Sequence, residues 1–277
     1  MIIKAENISY TYSEGGPFEK EALYNVSITI NQGDFVGIIG HTGSGKSTLV
    51  QHFNGLLKPT SGKITVCGID TLDKKANLKK VRTKVGLVFQ YPEHQLFEET
   101  VRQDIAFAPK NMGLSERETQ ERVMWAASLV GLTDEILEKS PFEISGGQKR
   151  RAAIAGVLAM QPDFLVLDEP TAGLDPSGRE EILFQIKKLH KETGITVAIV
   201  SHGMEDIAKT VEYLYVMNKG EIAMQGTPLE VYAQYELLEK MGLDAPQITK
   251  LMKHVYGVNI CTVEDAKEYI LGVAHRA

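Results

Sequence analysis

The sequence predicts an α/β fold: a mixed core sheet with helices, preceded by an antiparallel β segment, interrupted by a helical insertion and followed by a small helical appendage. Three observations lead there. A short apolar run, Asp34–Gly40, ends in glycines and passes into a helix pattern that begins at Lys46, the strand–turn–helix grammar of an α/β unit. Similar apolar runs return much later, at Phe164–Asp168 and Thr196–Ser201, with a helical stripe between them. From about Pro92 to Met160, between these two stretches, strand patterns vanish and helix signals dominate.

Residues 1–36 alternate as strands do, Ile2–Tyr10 and then Leu23–Ile30, across the turn-prone Ser13-Glu-Gly-Gly-Pro17. Gly55 is placed to stop the helix begun at Lys46. Gly62–Cys67 and Val85–Phe89 read as further strands. Within the insertion, Ser115-Glu-Arg-Glu118 has the reciprocal capping pattern, and Val123, Ala126, Ala127 and Val130 follow at helical spacing. Asp175 and Pro176 supply an N-cap and a first-turn proline for a helix whose buried stripe is Ile182, Leu183, Ile186 and Leu189. Tyr213–Met217 and Glu221–Gln225 flank Asn218-Lys219-Gly220 as a hairpin. Leu237, Leu238, Met241, Ile248, Leu251, Met252 and Val255 then recur as in helices, interrupted at Asp244-Ala-Pro246. The expected organisation is a main domain over 1–232, carrying the helical insertion at about 92–160, and an appendage over 233–277 that is a candidate for dimerisation.

A chain of 277 residues, 43% hydrophobic and 24% charged, suffices for one large domain and an appendage. Its net charge of −6 leaves no electrostatic footprint for nucleic acid. The basic cluster Lys149-Arg150-Arg151 is expected to be a solvated or locally paired helix face. Two distant cysteines, Cys67 and Cys261, predict reduced cytosolic thiols rather than a disulfide framework or a metal site. Met1-Ile-Ile-Lys-Ala-Glu has no basic segment leading into an apolar one, so no signal peptide is expected. No run approaches the ~20 apolar residues of a membrane span, so work at a membrane would be done from its side.

Gly40-His41-Thr42-Gly43-Ser44-Gly45-Lys46-Ser47 fits G-x-x-x-x-G-K-S/T in the strand-to-helix context that the motif requires. The glycines let backbone N–H groups converge on phosphates, and the helix that continues through Thr48 adds the positive end of its dipole. Lys46 would reach the β- and γ-phosphates and Ser47 would hold Mg²⁺. Asp168 ends an apolar strand on the side where such sheets bind ligands; it is suited to holding Mg²⁺, directly or through water. Glu169 is suited to polarising an attacking water as general base.

Gln90, after Val85–Phe89, could touch Mg²⁺ or the attacking water, or could be a polar strand-end residue. His202 ends the strand expected beside Asp168, a position from which it can contact a γ-phosphate. Tyr12 could stack on adenine or be an ordinary tyrosine. Ser145-Gly146-Gly147-Gln148 opens a helix expected to end near Met160: Ser145 caps it, and the glycines leave its amide end open to an anion. That helix is far in sequence from the phosphate loop, which suggests a nucleotide held by a partner. Asn218-Lys219-Gly-Glu is close to a guanine-reading motif, but it has the wrong acid and lies in a hairpin turn.

Taken together, Gly40–Ser47, Gln90, Ile144–Gln148, Phe164–Glu169, Ala172-Gly-Leu-Asp175 and His202 resemble the motif set of an ATP-binding-cassette (ABC) ATPase, in order and spacing, over about residues 1–230. The resemblance implies a phosphate-loop NTPase cassette in which two cassettes close head-to-tail over ATP, each nucleotide lying between one subunit's phosphate loop and the other's signature helix. It matches Tyr12 to the adenine-stacking aromatic, Gln90 to the Q-loop, Asp175 to the D-loop and His202 to the switch histidine. Phe89-Gln-Tyr-Pro-Glu-His-Gln95, together with His41-Thr42 and Ala153–Met160, is similar to the second ATPase type of energy-coupling factor (ECF) transporters.

That narrower resemblance implies a peripheral subunit at the cytoplasmic face of the cell membrane. Its partners would be a second ABC ATPase, with a heterodimer favoured and a homodimer possible, a transmembrane coupling protein and a substrate-binding membrane component. The cargo would be a vitamin or metal ion. Ile144 replaces the commoner Leu, and Ala172 stands where many cassettes have Ser, so one hydrogen bond across the dimer is in doubt. A soluble ABC ATPase of DNA repair or translation would need a coiled-coil insertion, two cassettes or a basic face. A phosphate-loop kinase or GTPase would leave Ser145–Gln148 unexplained.

Overall fold

The computed structural model describes residues 1–274. Strands β1 (Ile3–Tyr12) and β2 (Lys20–Ile30) open the chain, then β3 (Phe35–Ile39), helix α1 (Lys46–Phe53), β4 (Ser61–Val66), β5 (Ile69–Asp70), α2 (Leu78–Lys84) and β6 (Val85–Val88). The insertion holds α3 (Val101–Asn111), α4 (Glu116–Leu129), α5 (Asp134–Leu137) and α6 (Gly146–Leu158). There follow β7 (Phe164–Asp168), α7 (Pro176–Thr193), β8 (Thr196–Val200), α8 (Met204–Ala208), β9 (Tyr213–Asn218) and β10 (Glu221–Gly226). Helices α9 (Pro228–Tyr232), α10 (Tyr235–Lys240), α11 (Gln247–Tyr256) and α12 (Val263–Ala274) close it.

Two sheets result. The order β2-β1-β4-β5 is antiparallel throughout, and the order β10-β9-β3-β8-β7-β6 is parallel except for β10, which pairs antiparallel with β9. Alternation along the central strands, with both faces covered, explains why their sequences are apolar almost throughout. Phe35, Ile39, Leu165, Leu167, Val197 and Ile199 pack toward the inserted helices and α7. The intervening Val36, Ile38, Phe164, Val166, Ala198 and Val200 pack toward α1 and the antiparallel sheet. Each residue of β3, β7 and β8 is buried.

Local signals set the ends of the elements. Ser115 and Glu118 form the expected capping box, and Thr100 with Gln103 forms another at the start of α3. Asp175 caps α7 by accepting from the Gly178 N–H at 2.7 Å. Lys219 and Gly220 both have positive φ, as a two-residue hairpin turn with the strands' own twist requires. Leu238 of α10, and Leu243, Ala245 and Cys261 of the segments that connect the C-terminal helices, join the core that contains Tyr232. No helix among the described residues is long and apolar enough to cross a membrane.

Candidate functional site

The parallel strands β3, β8, β7 and β6 lie side by side, with Ile38 and Asp168 both opposite Val200 and Val88 opposite Leu167. That register aligns Gly40, His202, Asp168–Glu169 and Gln90 along one edge of the sheet. It is the carboxyl edge, where open α/β sheets bind ligands.

The phosphate loop is clasped from behind. A Cβ on Gly40 would lie 2.4 Å from the Met217 carbonyl oxygen, and one on Gly45, at φ 102°, would lie 2.6 Å from that of Ala22. Only glycine fits at either place. The Gly220 N–H donates to the Ser44 carbonyl at 3.0 Å, and the Ser44 N–H to that of His41 at 3.1 Å. The His41 ring turns aside, its Nδ1 2.8 Å from the Thr42 carbonyl. At Gly43 an added Cβ would meet nothing within 4 Å, so the loop is open on that side.

Lys46 is buried and folds back on the loop, its Nζ donating to the carbonyls of Gly40 at 2.7 Å and His41 at 3.0 Å. Burial holds its ammonium below the ordinary lysine range, against the pull of Glu169 and Asp168. Burial also pushes the Asp168 carboxyl up, with the Ser47 hydroxyl opposing, Glu169 reinforcing and Lys46 opposing. Asp168 Oδ1 and Ser44 Oγ are buried without a hydrogen-bond partner. Orphaned polar atoms of this kind call for a ligand. A triphosphate in the loop, with a divalent cation between Ser47 and Asp168, fits the donors and acceptors present.

Glu169 sits at φ 53°, a left-handed conformation that costs a side-chain-bearing residue roughly 1–2 kcal/mol. Its N–H donates to the Val200 carbonyl at 2.9 Å, and its Oε2 lies 2.8 Å from His202 Nδ1. The turn therefore aims the carboxylate across the strand ends. Gln90 is exposed, two residues beyond Val88. Tyr12 reaches back to the loop helix, its hydroxyl 3.1 Å from Thr48 Oγ1.

Ser145 and Gln148 satisfy each other: the Gln148 N–H donates to Ser145 Oγ at 3.2 Å, and the Ser145 N–H to Gln148 Oε1 at 2.9 Å. A Cβ on Gly146 or Gly147 would meet nothing within 4 Å, so the N-terminus of α6 is bare. Asp175 is spent on capping α7.

Arg150 departs from the solvated face expected of Lys149-Arg150-Arg151. It is 1% exposed and grips Glu93 as well as the carbonyls of Pro170 and Ala172. The missed signal is positional: Arg150, Ile154 and Leu158 recur every fourth residue on the buried face of α6. Arg151 is paired with Glu181 of α7, and Lys149 lies over the Phe142 ring. Hollows of about 860 and 890 Å³ are lined by Tyr213, Tyr215 and Asp34, and by Phe184, Lys187 and Lys191, with none of the aligned strand-end residues in either.

Fold and site together define a phosphate-loop ATPase. The family model described as ABC transporter matches residues 23–172, and the chain belongs to that family. Among curated relatives it is similar to the energy-coupling factor transporter ATP-binding protein EcfA2 of Caldanaerobacter subterraneus subsp. tengcongensis, 57% identical over 98% of this chain and 97% of the relative. The EcfA2 of Clostridium perfringens is 55% identical over 99% of this chain and 98% of that one. Of solved structures, cbiO1 from Clostridium perfringens, part of the ABC transporter complex cbiONQ, superposes with a TM-score of 0.77 at 41% identity, covering 91% of this chain and 98% of that chain. A dimeric post-hydrolysis state of the ATP-binding cassette MJ0796 bound to ADP and Pi has a TM-score of 0.72 at 32% identity, covering 82% and 99%.

Proposed function

We propose that this chain is the ATP-hydrolysing subunit of an ECF-type importer of vitamins or metal ions. The observation that carries the chemistry is the alignment of the Lys46 loop, Asp168–Glu169 and His202 on adjacent parallel strand ends. The relatives' names support the transport role.

On this reading the open side of the loop at Gly43 receives the phosphates through backbone N–H groups. Lys46 leaves the carbonyls of Gly40 and His41 for the β- and γ-phosphates, which offer its charge a better partner. Ser47, Asp168 and Gln90 would hold Mg²⁺, which would supply positive charge to offset that of the phosphates. Glu169 takes a proton from the attacking water, with His202 holding its carboxylate in place. Tyr12 faces the adenine. Ser145, Gly146 and Gly147 meet the γ-phosphate of ATP held by the partner cassette, which makes them a site in the dimer.

The partner is a second ABC ATPase, with a related cassette favoured over a second copy. Both drive a transmembrane coupling protein and a substrate-binding membrane component from the cytoplasmic face. The division into a cassette over 1–232 and an appendage over 233–277 belongs to the same proposal. Purification from detergent-solubilised membranes tests it: integral membrane partners and a second cassette are expected. Recovery of a soluble homodimer alone would overturn the transport reading.

A further inference from the structure

We propose that Arg150 is a positioning residue for hydrolysis, locking the segment after Gln90 and the turn after Glu169 onto the helix that begins at Ser145. The proposal rests on the ATPase reading of the strand-end site. Arg150 Nη2 donates to Glu93 Oε1 at 2.9 Å and Nε to Glu93 Oε2 at 3.2 Å. Its Nη1 donates to the carbonyls of Pro170 at 3.0 Å and Ala172 at 2.7 Å. Every guanidinium nitrogen is engaged, as a cation withdrawn from water demands.

The partners are what give this brace a role. Glu93 lies three residues beyond Gln90, in the short turn Pro92–Gln95. Pro170 and Ala172 lie one and three residues beyond Glu169. Arg150 itself is on α6, whose bare N-terminus is offered to another nucleotide. One planar fork therefore ties together two segments that handle water in this chain's own site and the helix that closes on the neighbouring one. A second contact runs parallel to it. Tyr91, at φ 55°, places its Cε1 3.5 Å from where a Cβ on Gly173 would lie. Displacement of α6 upon closure thus moves Gln90 and the Glu169 turn with it. A lysine at this position could not replace the brace, because its donors radiate from one atom and cannot serve Glu93 and two carbonyls on opposite sides.

The test uses the assembled transporter: this chain, its partner cassette and the membrane components in detergent. Glu93→Gln keeps shape and one acceptor while removing the charge; Arg150→Lys keeps the charge and loses the fork. Glu93→Gln should lower kcat about tenfold while leaving KM for ATP within about twofold, the pattern of lost transition-state positioning. Amide hydrogen exchange should quicken in residues 90–95 and 170–175. The double variant should be no worse than Arg150→Lys alone, since the Glu93 contact is part of the device that Arg150→Lys already removes. An unchanged kcat in Glu93→Gln, or a raised KM with kcat intact, would overturn the proposal, and this holds even if Arg150→Lys does not fold. Glu169→Gln, run alongside, separates the two readings. If it retains full hydrolysis, the site reading itself fails. If it abolishes hydrolysis while Glu93→Gln keeps its kcat, only the brace fails.

Discussion

His202 and Glu169 hold each other across neighbouring strand ends: the imidazole Nδ1 lies 2.8 Å from a carboxylate oxygen that is largely buried, while the ring itself is mostly exposed. The carboxylate leads from a left-handed turn and gains its orientation from a residue just beyond the end of β8.

Loss of that orientation should be visible in turnover. His202→Ala should lower kcat by about 10²-fold, in the range expected for general-base catalysis, with nucleotide affinity of the isolated chain changed by less than about twofold. Glu169→Gln should go further and trap ATP in a closed dimer. Steady-state ATPase assays and nucleotide titrations check both, and a His202→Ala protein with ordinary kcat would contradict the pairing's role.

The bare start of α6 predicts an effect that depends on assembly. Ser145→Arg, which sets a long side chain where Gly146 and Gly147 leave space, should leave ATP binding to the isolated chain intact and abolish hydrolysis in the assembled complex. Ser145→Ala removes a cap that contributes about 1 kcal/mol and should lower the melting temperature by a few degrees. Equal losses of ATP binding in isolated and assembled protein would count against a site completed by the dimer.

Two glycines of the phosphate loop should respond differently to an added methyl. Gly40→Ala drives a Cβ to 2.4 Å from the Met217 carbonyl oxygen, on the backbone of β9, and should destabilise by about 1–3 kcal/mol. Gly43→Ala meets open space and suffers mainly from its φ of 82°, a cost of roughly 1–2 kcal/mol. Thermal melts without nucleotide should rank Gly40→Ala as the worse.

His52 makes stability depend on pH. Its ring is wholly buried with Nδ1 2.7 Å from the Thr48 carbonyl, and burial depresses its pKa, that hydrogen bond opposing. The folded chain thus favours the neutral ring, whereas the unfolded chain takes up a proton near about pH 6.5. The contribution is present above that value and is lost as pH falls through it toward the lower folded pKa. His52→Gln should flatten the fall in denaturation midpoint between about pH 7.5 and 5. An identical slope in the variant would contradict this.

What was legible in the chain was what is local. Phe164–Asp168 is a strand with the bounds its apolar run indicates, because both faces of that strand are buried. Asp175 and Pro176 begin α7 as their chemistry dictates. Ile69–Asp70 and Leu78–Lys84 were not legible: a two-residue strand exists only by pairing with β4, and α2 buries Val81 alone in a charged stretch. Arg150 misled because charge ordinarily means solvent, and its partners lie 57 and 20 or more residues away in sequence. Apolar residues of the C-terminal helices could be listed but not assigned a side: Met252 is buried, while its neighbour Leu251 and Val255 are exposed.

The clasp behind the phosphate loop also sets an order of events in synthesis. The loop's own residues end at Ser47, but the carbonyl of Met217 and the amide of Gly220 that bound and anchor it come some 170 residues later. A growing chain on the ribosome therefore carries the full nucleotide motif long before it has a finished nucleotide cradle. Only when the β9–β10 hairpin has emerged can those two backbone groups close the loop from behind.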